Sequence, residues 1–171
     1  MNEKELVILS KSGDKNAFSE LYSLYSDRLY RYAFYRLANK EDAEDAVSEA
    51  VYSAFYQIGA LKKPEAFSAW LFRILFFSCG AVIKARSERR NMVDINDMAD
   101  KLTYSMESEF EKTELQQALD ILNDDEREIV LLSVVSGLKS NEIAKICDMT
   151  SGAVRSKLSR SLSKMRNFLE G

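Results

Sequence analysis

The side chains that could act on another molecule fall into a few charged runs, and the residue that most catalytic sites depend on is absent. The chain of 171 residues holds no histidine, which excludes Ser-His-Asp hydrolysis, histidine-ligated zinc and carboxylate-histidine di-iron chemistry. Cys79 and Cys147 stand alone inside apolar periodic stretches, the setting of two reduced, buried thiols and not of a disulfide or metal pair. The densest acidic run is 41–49, with Glu41, Asp42, Glu44, Asp45 and Glu49 and no base. A carboxylate metal centre needs acids converging inward from several helices, whereas these crowd a single stretch, so no metal or cofactor is expected. Recognition by charge is the chemistry that remains.

The charge is segregated. Residues 73–90 carry Arg73, Lys84, Arg86, Arg89 and Arg90 against Glu88, and 151–166 carry Arg155, Lys157, Arg160, Lys164 and Arg166 with no acid. Residues 91–128 hold twelve acids and three bases. The net charge is only −3, so the total hides the pattern. Two basic surfaces suit a polyanion, and the acidic ones suit a basic protein partner.

Helices must carry these faces. Six glycines and one proline are too few turn formers for an antiparallel sandwich or a many-loop α/β fold, so the expected class is all-α. The length allows one domain or two small ones. The longest apolar run, around Phe76 and Phe77, reads as too short to cross a bilayer. Met1 leads into Asn2, Glu3, Lys4 and Glu5 without a signal-peptide pattern, and a cytosolic address is expected.

Ala17, Phe18, Leu21, Tyr22, Tyr25, Leu29 and Tyr32 recur every three or four residues and predict a helix to about Leu37. Asn39 to Asp42 restarts the chain, and Ala43, Ala46, Val47, Ala50, Val51, Ala54, Phe55 and Ile58 predict a second helix ending at Gly59. Its small residues permit a close neighbour, with Asp42, Asp45, Ser48 and Glu49 on the opposite side. After Lys62, Lys63 and Pro64, Glu65 is expected to open a third helix through Phe67, Trp70, Leu71, Ile74 and Leu75. Trp70 falls on that apolar stripe and reads as core. Periodicity fades between Asn91 and Ser108, which reads as an acidic linker between two separate helical domains. The acids there, Asp94 to Glu111, predict a mobile, polyanionic tether.

Helical pattern returns from Glu109, breaks at Asn123 and Asp124, and resumes from Ile129 to Val135 before a Gly137 cap. Ser140 is the expected cap of a helix to Cys147, Asp148 tolerates a left-handed turn, and Thr150 and Ser151 cap a last helix to about Leu169. Ala144 is small where the two helices cross, and Ile143 and Val154 are placed to close on each other. These are the residue types of a helix-turn-helix. Its second helix buries Val154, Leu158, Leu162, Met165 and Leu169 and leaves Ser151, Arg155, Ser156, Lys157, Ser159 and Arg160 toward the side that reaches base edges in such folds.

Asp124 to Leu169, with S-N-E-I-A at 140–144 and V-R-S-K-L-S-R at 154–160, resembles region four of the extracytoplasmic-function sigma factors of bacterial RNA polymerase. Ala17 to Ile58, with DAEDAVSEAVYSAF, resembles region two of the same family, and FSAWLFRI at 67–74 resembles its tryptophan-bearing helix. The resemblance implies a non-enzymatic, dissociable polymerase subunit in the bacterial cytoplasm. Residues 1–90 would grip the core enzyme and open the minus-ten element, 91–112 would link, and 113–171 would read the minus-thirty-five element. Asp45, Ser48 and Glu49 hold the positions that dock on the β′ coiled coil, and the β flap is the second polymerase contact. Arg73, Phe77, Lys84, Arg86, Arg89 and Arg90 would line the minus-ten surface. A separate anti-sigma factor is an implied partner.

This chain departs from the family pattern where Phe76-Phe77 replaces a common Arg-Asn pair and Ala81 stands where Asp is frequent. Either the pocket for an unstacked base is apolar here, or the bases are held elsewhere, by the loop preceding Arg86. The alternative from another class is a dimeric helix-turn-helix regulator whose first domain senses a ligand or a partner.

Overall fold

A computed structural model describes residues 1–92 and 112–171, and the described residues are helical with no strand. The polyanionic tether expected between Asn91 and Lys112 lies, apart from its ends, outside the described residues.

The chain opens with a helix that periodicity alone does not announce, α1, Glu3–Lys11. Its signal is a capping box: Asn2 Oδ1 accepts from Glu5 N at 2.9 Å, and the Glu5 carboxylate accepts from Asn2 N at 3.3 Å. Leu6 and Val7 of α1 are buried in the core it shares with the second helix. That helix, α2, Lys15–Leu37, starts where Asp14 accepts from Ala17 N at 3.0 Å, and it ends at Ala38, a left-handed residue with φ 54°. Helix α3, Lys40–Gln57, is capped by Asn39. A 3-10 turn at Pro64–Ala66 then precedes α4, Phe67–Met92, so the third long helix begins two residues after Glu65, with the proline turn as its lead-in.

The core of this first unit is aromatic. Phe72 of α4 is fully buried with its ring 6.3 Å from Tyr25 and 6.2 Å from Tyr32 of α2, both in edge-on geometry. Phe67 packs edge-on against Tyr25 at 5.3 Å. Trp70 is half-buried at the margin, tilted against Phe67. Ala43, Ala46, Ala50 and Ala54 line the face of α3 toward α4, and Ser78 Oγ of α4 donates to Ala46 O at 2.8 Å across that seam. One 18-residue window of Pro64–Met92 reaches a mean hydropathy of 1.8, a value shared with membrane-crossing helices, contrary to the expectation that the apolar run falls far short. Phe67, Leu71, Phe72, Leu75 and Cys79 are the residues of this helix buried in the core, and 28% of that window is buried.

The second unit begins with α5, Glu114–Asp120, capped by Thr113, and α6, Asp124–Val130, capped by Asn123 and Glu126. A π turn, Leu131–Val135, continues α6, and Ser136 N donates to Leu131 O at 3.0 Å. Gly137 comes next with φ +71°, the stop read from its position. Helices α7, Ser140–Cys147, and α8, Ser151–Glu170, complete the chain. Helix α7 starts one residue earlier than expected. Lys139 is the cap, its N–H donating to the Glu142 carboxylate at 2.9 Å, and Ser140 is already helical.

Ala38 is exposed and pays the left-handed penalty without packing in return. Ala38→Gly is therefore expected to stabilise the protein by about 0.5 to 1 kcal/mol, the ~1 to 2 kcal/mol of left-handed strain being offset in part by the freer unfolded chain. Urea unfolding of the two forms checks this, with a raised midpoint at unchanged slope as the expected result.

Candidate nucleic-acid and protein-docking interfaces

The turn between α7 and α8 forms from the residues singled out for it. Asp148 takes φ 55° and ψ 54°, Met149 N donates to Ala144 O at 2.9 Å, and Thr150 Oγ1 accepts from Ala153 N at 3.1 Å. Ile143 and Val154 are fully buried on either side of it. Arg155, Ser156, Ser159 and Arg160 are exposed on one side of α8, and Ser151 is half-buried at its first turn. Lys157 departs from that exposed set: its side chain is 26% exposed and lies 3.8 Å from Asp125. Arg155 and Arg160 make no ion pair among the described residues, so their guanidiniums are free to engage a ligand. The helix N-terminus beside them favours an anion such as a phosphate.

Two packing expectations need correcting. Leu169 is 50% exposed because the last turn of α8 runs past the body of the domain. Cys147 is only half-buried, whereas Cys79 is buried; burial pushes both thiols up to about 11, so both stay protonated at neutral pH. The position that closes the core in place of a leucine is Ser161, fully buried, its hydroxyl donating to Lys157 O at 2.7 Å.

In the first unit, Asp45, Ser48 and Glu49 are exposed along α3. The same face continues to Tyr52 and Tyr56, each 67% exposed with rings 4.7 Å apart. Neither tyrosine is among the residues expected at this face; Tyr52 follows Glu49 by three residues and Ser48 by four, and Tyr56 follows Tyr52 by four, the spacing that places them on it. Beside this face an open groove of about 670 Å³ separates α3 from α4. Asp45 and Glu49 form one wall, and Arg73, Phe77 and Arg89 form the other. Phe77 is 53% exposed, with the Arg73 guanidinium 5.3 Å from its ring centre. Acids and bases 24 to 44 residues apart in sequence therefore face each other across one cleft.

The remaining basic candidates separate from that cleft. Arg86 is turned inward: its guanidinium pairs with Asp42, with Nε 3.0 Å from Oδ2, and donates to Leu37 O at 2.9 Å. It ties α4 to the α2–α3 corner and offers no free charge to a ligand. Lys84 is exposed but borders a second groove of about 330 Å³ with Arg36, Asp124, Arg127 and Glu128. Arg90 is exposed near the end of α4.

Comparisons with known proteins match both helical units. Residues 21–87 match the family model described as sigma-70 region 2, and residues 112–165 match that of sigma-70, region 4. SigV, an RNA polymerase sigma factor of Bacillus subtilis, is 30% identical over 137 residues, which cover 80% of this chain and 81% of that protein. BldN, an ECF RNA polymerase sigma factor of Streptomyces coelicolor, is 30% identical over 171 residues; the aligned region covers 96% of this chain and 65% of BldN. The sigma factor RpoE of Bartonella quintana, solved in complex with the anti-sigma factor NepR, shares the fold with a TM-score of 0.71 at 20% identity, over 90% of this chain and 96% of that one. The class is thus a sigma-70-type polymerase subunit with regions two and four. EcfG, an ECF RNA polymerase sigma factor of Rhodopseudomonas palustris, is 31% identical over 137 residues, which cover 77% of this chain and 73% of that protein. The chain belongs to the extracytoplasmic-function sigma factors, which direct transcription initiation by RNA polymerase.

Two variants test the faces. Asp45→Lys with Glu49→Lys reverses two exposed charges and is expected to weaken binding to core polymerase severalfold while leaving the helical circular dichroism unchanged, as a pull-down and a spectrum will show. Arg155→Ala is expected to relax base preference in the upstream element, at a cost of about 1 to 3 kcal/mol if a guanine contact is lost. Selection from a randomised minus-thirty-five library would reveal it, and an identical consensus would remove Arg155 as a reader.

Proposed function

We propose that residues 1–90 engage core polymerase and the minus-ten element, that residues 113–171 read the minus-thirty-five element as duplex, and that 91–112 join them. In this reading Asp45, Ser48 and Glu49, extended by Tyr52 and Tyr56, dock on the basic β′ coiled coil, and the second domain meets the β flap. The exposed side of α8, with Ser151, Arg155, Ser156, Ser159 and Arg160, enters the major groove. Arg73, Phe77 and Arg89, with Arg90 beyond them, present an aromatic ring and cations to unstacked bases and their backbone. Phe77 in this position makes the base-accepting wall apolar, which supports the first of the two alternatives opened by the Phe76-Phe77 departure.

The observation that carries the reading is the pairing, in one chain, of an exposed acidic helix face beside an open groove with a helix-turn-helix whose two outward arginines lack internal partners among the described residues. Charged surfaces of this kind steer association and discriminate between partners. The protein would act stoichiometrically, without catalysis of its own, in the bacterial cytoplasm. An anti-sigma factor is a further proposed partner, supported by the likeness to RpoE of Bartonella quintana, which is solved bound to one.

The decisive experiment is transcription in vitro with core polymerase on a genomic fragment library. Start sites sharing paired upstream elements, appearing only when the protein is added in stoichiometric amount, are the expected result. Duplex binding as a dimer with no effect on core polymerase would establish the regulator alternative in its place.

A further inference from the structure

The two units touch through groups that neither binding surface uses. Tyr25, Arg28, Tyr32 and Arg36 recur at helical spacing along α2, with aromatic and cationic side chains alternating on one stripe. Arg36 is anchored to its own unit: it donates to Tyr32 Oη at 3.2 Å and to Phe76 O at 2.7 Å, and its guanidinium lies 4.6 Å from the Phe76 ring centre. Both of those hydrogen bonds come from Nη1; Nη2 donates to Glu128 Oε1 on α6 at 2.6 Å, across 92 residues of sequence, and Nε is buried without a partner among the described residues. The two side chains are 5% and 17% exposed. Glu128 makes no other side-chain hydrogen bond among the described residues. Two turns earlier, Arg28 covers the Tyr25 ring at 4.6 Å and reaches Ser136 O at 3.5 Å. The π turn packs against α2 between these anchors, and α4 packs against α7.

Such a contact cannot persist in the proposed working state. Elements centred at minus ten and minus thirty-five are about 25 base pairs apart, or about 85 Å of duplex at ~3.4 Å per pair. Two domains of this size in direct contact have centres only about 30 Å apart. Residues 93–111 can reach about 65 Å when fully extended, enough to bridge the difference once the domains part. Closure hides neither proposed reading surface, since Arg73, Phe77 and Arg89 on one domain and Arg155 and Arg160 on the other all remain exposed. It forbids only their simultaneous use on one promoter.

We propose that the Arg36–Glu128 pair is an interdomain latch that holds the free sigma factor closed and must break before both promoter elements can be engaged together. This rests on the reading of the two domains as minus-ten and minus-thirty-five readers. The latch is a sound switch element because its two halves differ. Arg36 keeps its Tyr32 and Phe76 partners after opening, whereas Glu128 simply returns to water. Opening therefore costs the pair without dismantling either domain. A buried pair responds little to salt, so the closed state persists where surface attractions are screened.

The test uses the full chain, with a dye pair attached through bio-orthogonal residues at exposed Ser23 of α2 and Ser163 of α8. Glu128→Ala and Glu128→Lys are expected to lower the transfer efficiency of the free protein, whereas Glu114→Ala, at an exposed acid of α5 away from the groove between the domains, leaves it unchanged. In run-off transcription on a promoter with both elements, the concentration of Glu128→Ala needed for half-maximal initiation is expected to fall by about three- to tenfold. Binding to a duplex carrying only the upstream element should stay at the wild-type level. Melting curves confirm that each variant is folded, and Glu128→Ala serves alone if the lysine variant is not.

Unchanged transfer efficiency in both Glu128 variants overturns the latch. So does an opened chain whose half-maximal concentration equals that of the wild type. If no form, wild type included, directs promoter-specific initiation, the functional reading fails, while the dye measurement still decides whether the pair holds the domains closed.

Discussion

The alanine seam between α3 and α4 is the constraint on which the first domain depends. Ala43, Ala46, Ala50 and Ala54 are buried nearly completely, and only side chains this small let a serine hydroxyl on α4 reach a main-chain carbonyl of α3. That approach fixes the rotation of α3. With the alanines inward, Asp45, Ser48 and Glu49 have nowhere to go but outward, and Tyr52 and Tyr56 lie on the same face. It also fixes the groove, whose floor is made of small residues and whose walls are whatever longer side chains flank the seam. Enlarging one alanine would strain the core and, by rotating or displacing α3, move the exposed acidic face with it.

The charge pattern along the sequence acquires its meaning only after folding. Separate acidic and basic runs suggested separate partners, yet Asp45 and Glu49 stand across one cleft from Arg73 and Arg89. A partner filling that cleft would touch both walls, so in the proposed reading polymerase docking and minus-ten contact would be adjacent functions of one surface. Not every charge in the runs is available. Arg86 and Asp42 neutralise each other at the base of α4, and Leu37 O takes a further guanidinium hydrogen bond. A count of basic residues overstates the free positive surface wherever an acid is brought alongside by tertiary packing.

How much was legible in the sequence depended on whether the cause was local. The helix-turn-helix could be read nearly to the residue because its determinants are short-range: Asp148 tolerates the left-handed turn, Thr150 caps the next helix, and Ala144 clears the crossing. The long helices came from apolar period. What escaped had a remote or competing cause. Helix α1 is short and weakly patterned, and its capping box at Asn2 and Glu5 is the cue that would have found it. The inward turn of Arg86 depends on an acid 44 residues away. Ser161 was invisible as a core position because its burial is made tolerable by a hydrogen bond and not by its own hydrophobicity. The π turn breaks the period that was used to detect the helix containing it.

Helix α6 shows how a small domain can belong to an assembly without depending on it. Glu126 and Glu128 are two residues apart, so they point to different sides of the helix. Glu126 works inside its own domain: it closes the capping box with Asn123 and accepts from Lys164 of α8 at 2.7 Å, and that ammonium holds its carboxyl below the usual carboxylate range. Glu128 faces the other way, toward Arg36 of the first domain, and burial pushes its carboxyl up while the guanidinium opposes that shift. The first acid secures the recognition helix to its platform; the second secures only the neighbour. Since the helix-turn-helix keeps its cap, its Lys164 clamp and its buried Ile143 and Val154 whether or not Arg36 is present, the recognition surface is built to survive separation of the domains. A domain that, in the proposed working state, would move tens of ångströms from its partner requires just this division between contacts that define the domain and contacts that restrain it.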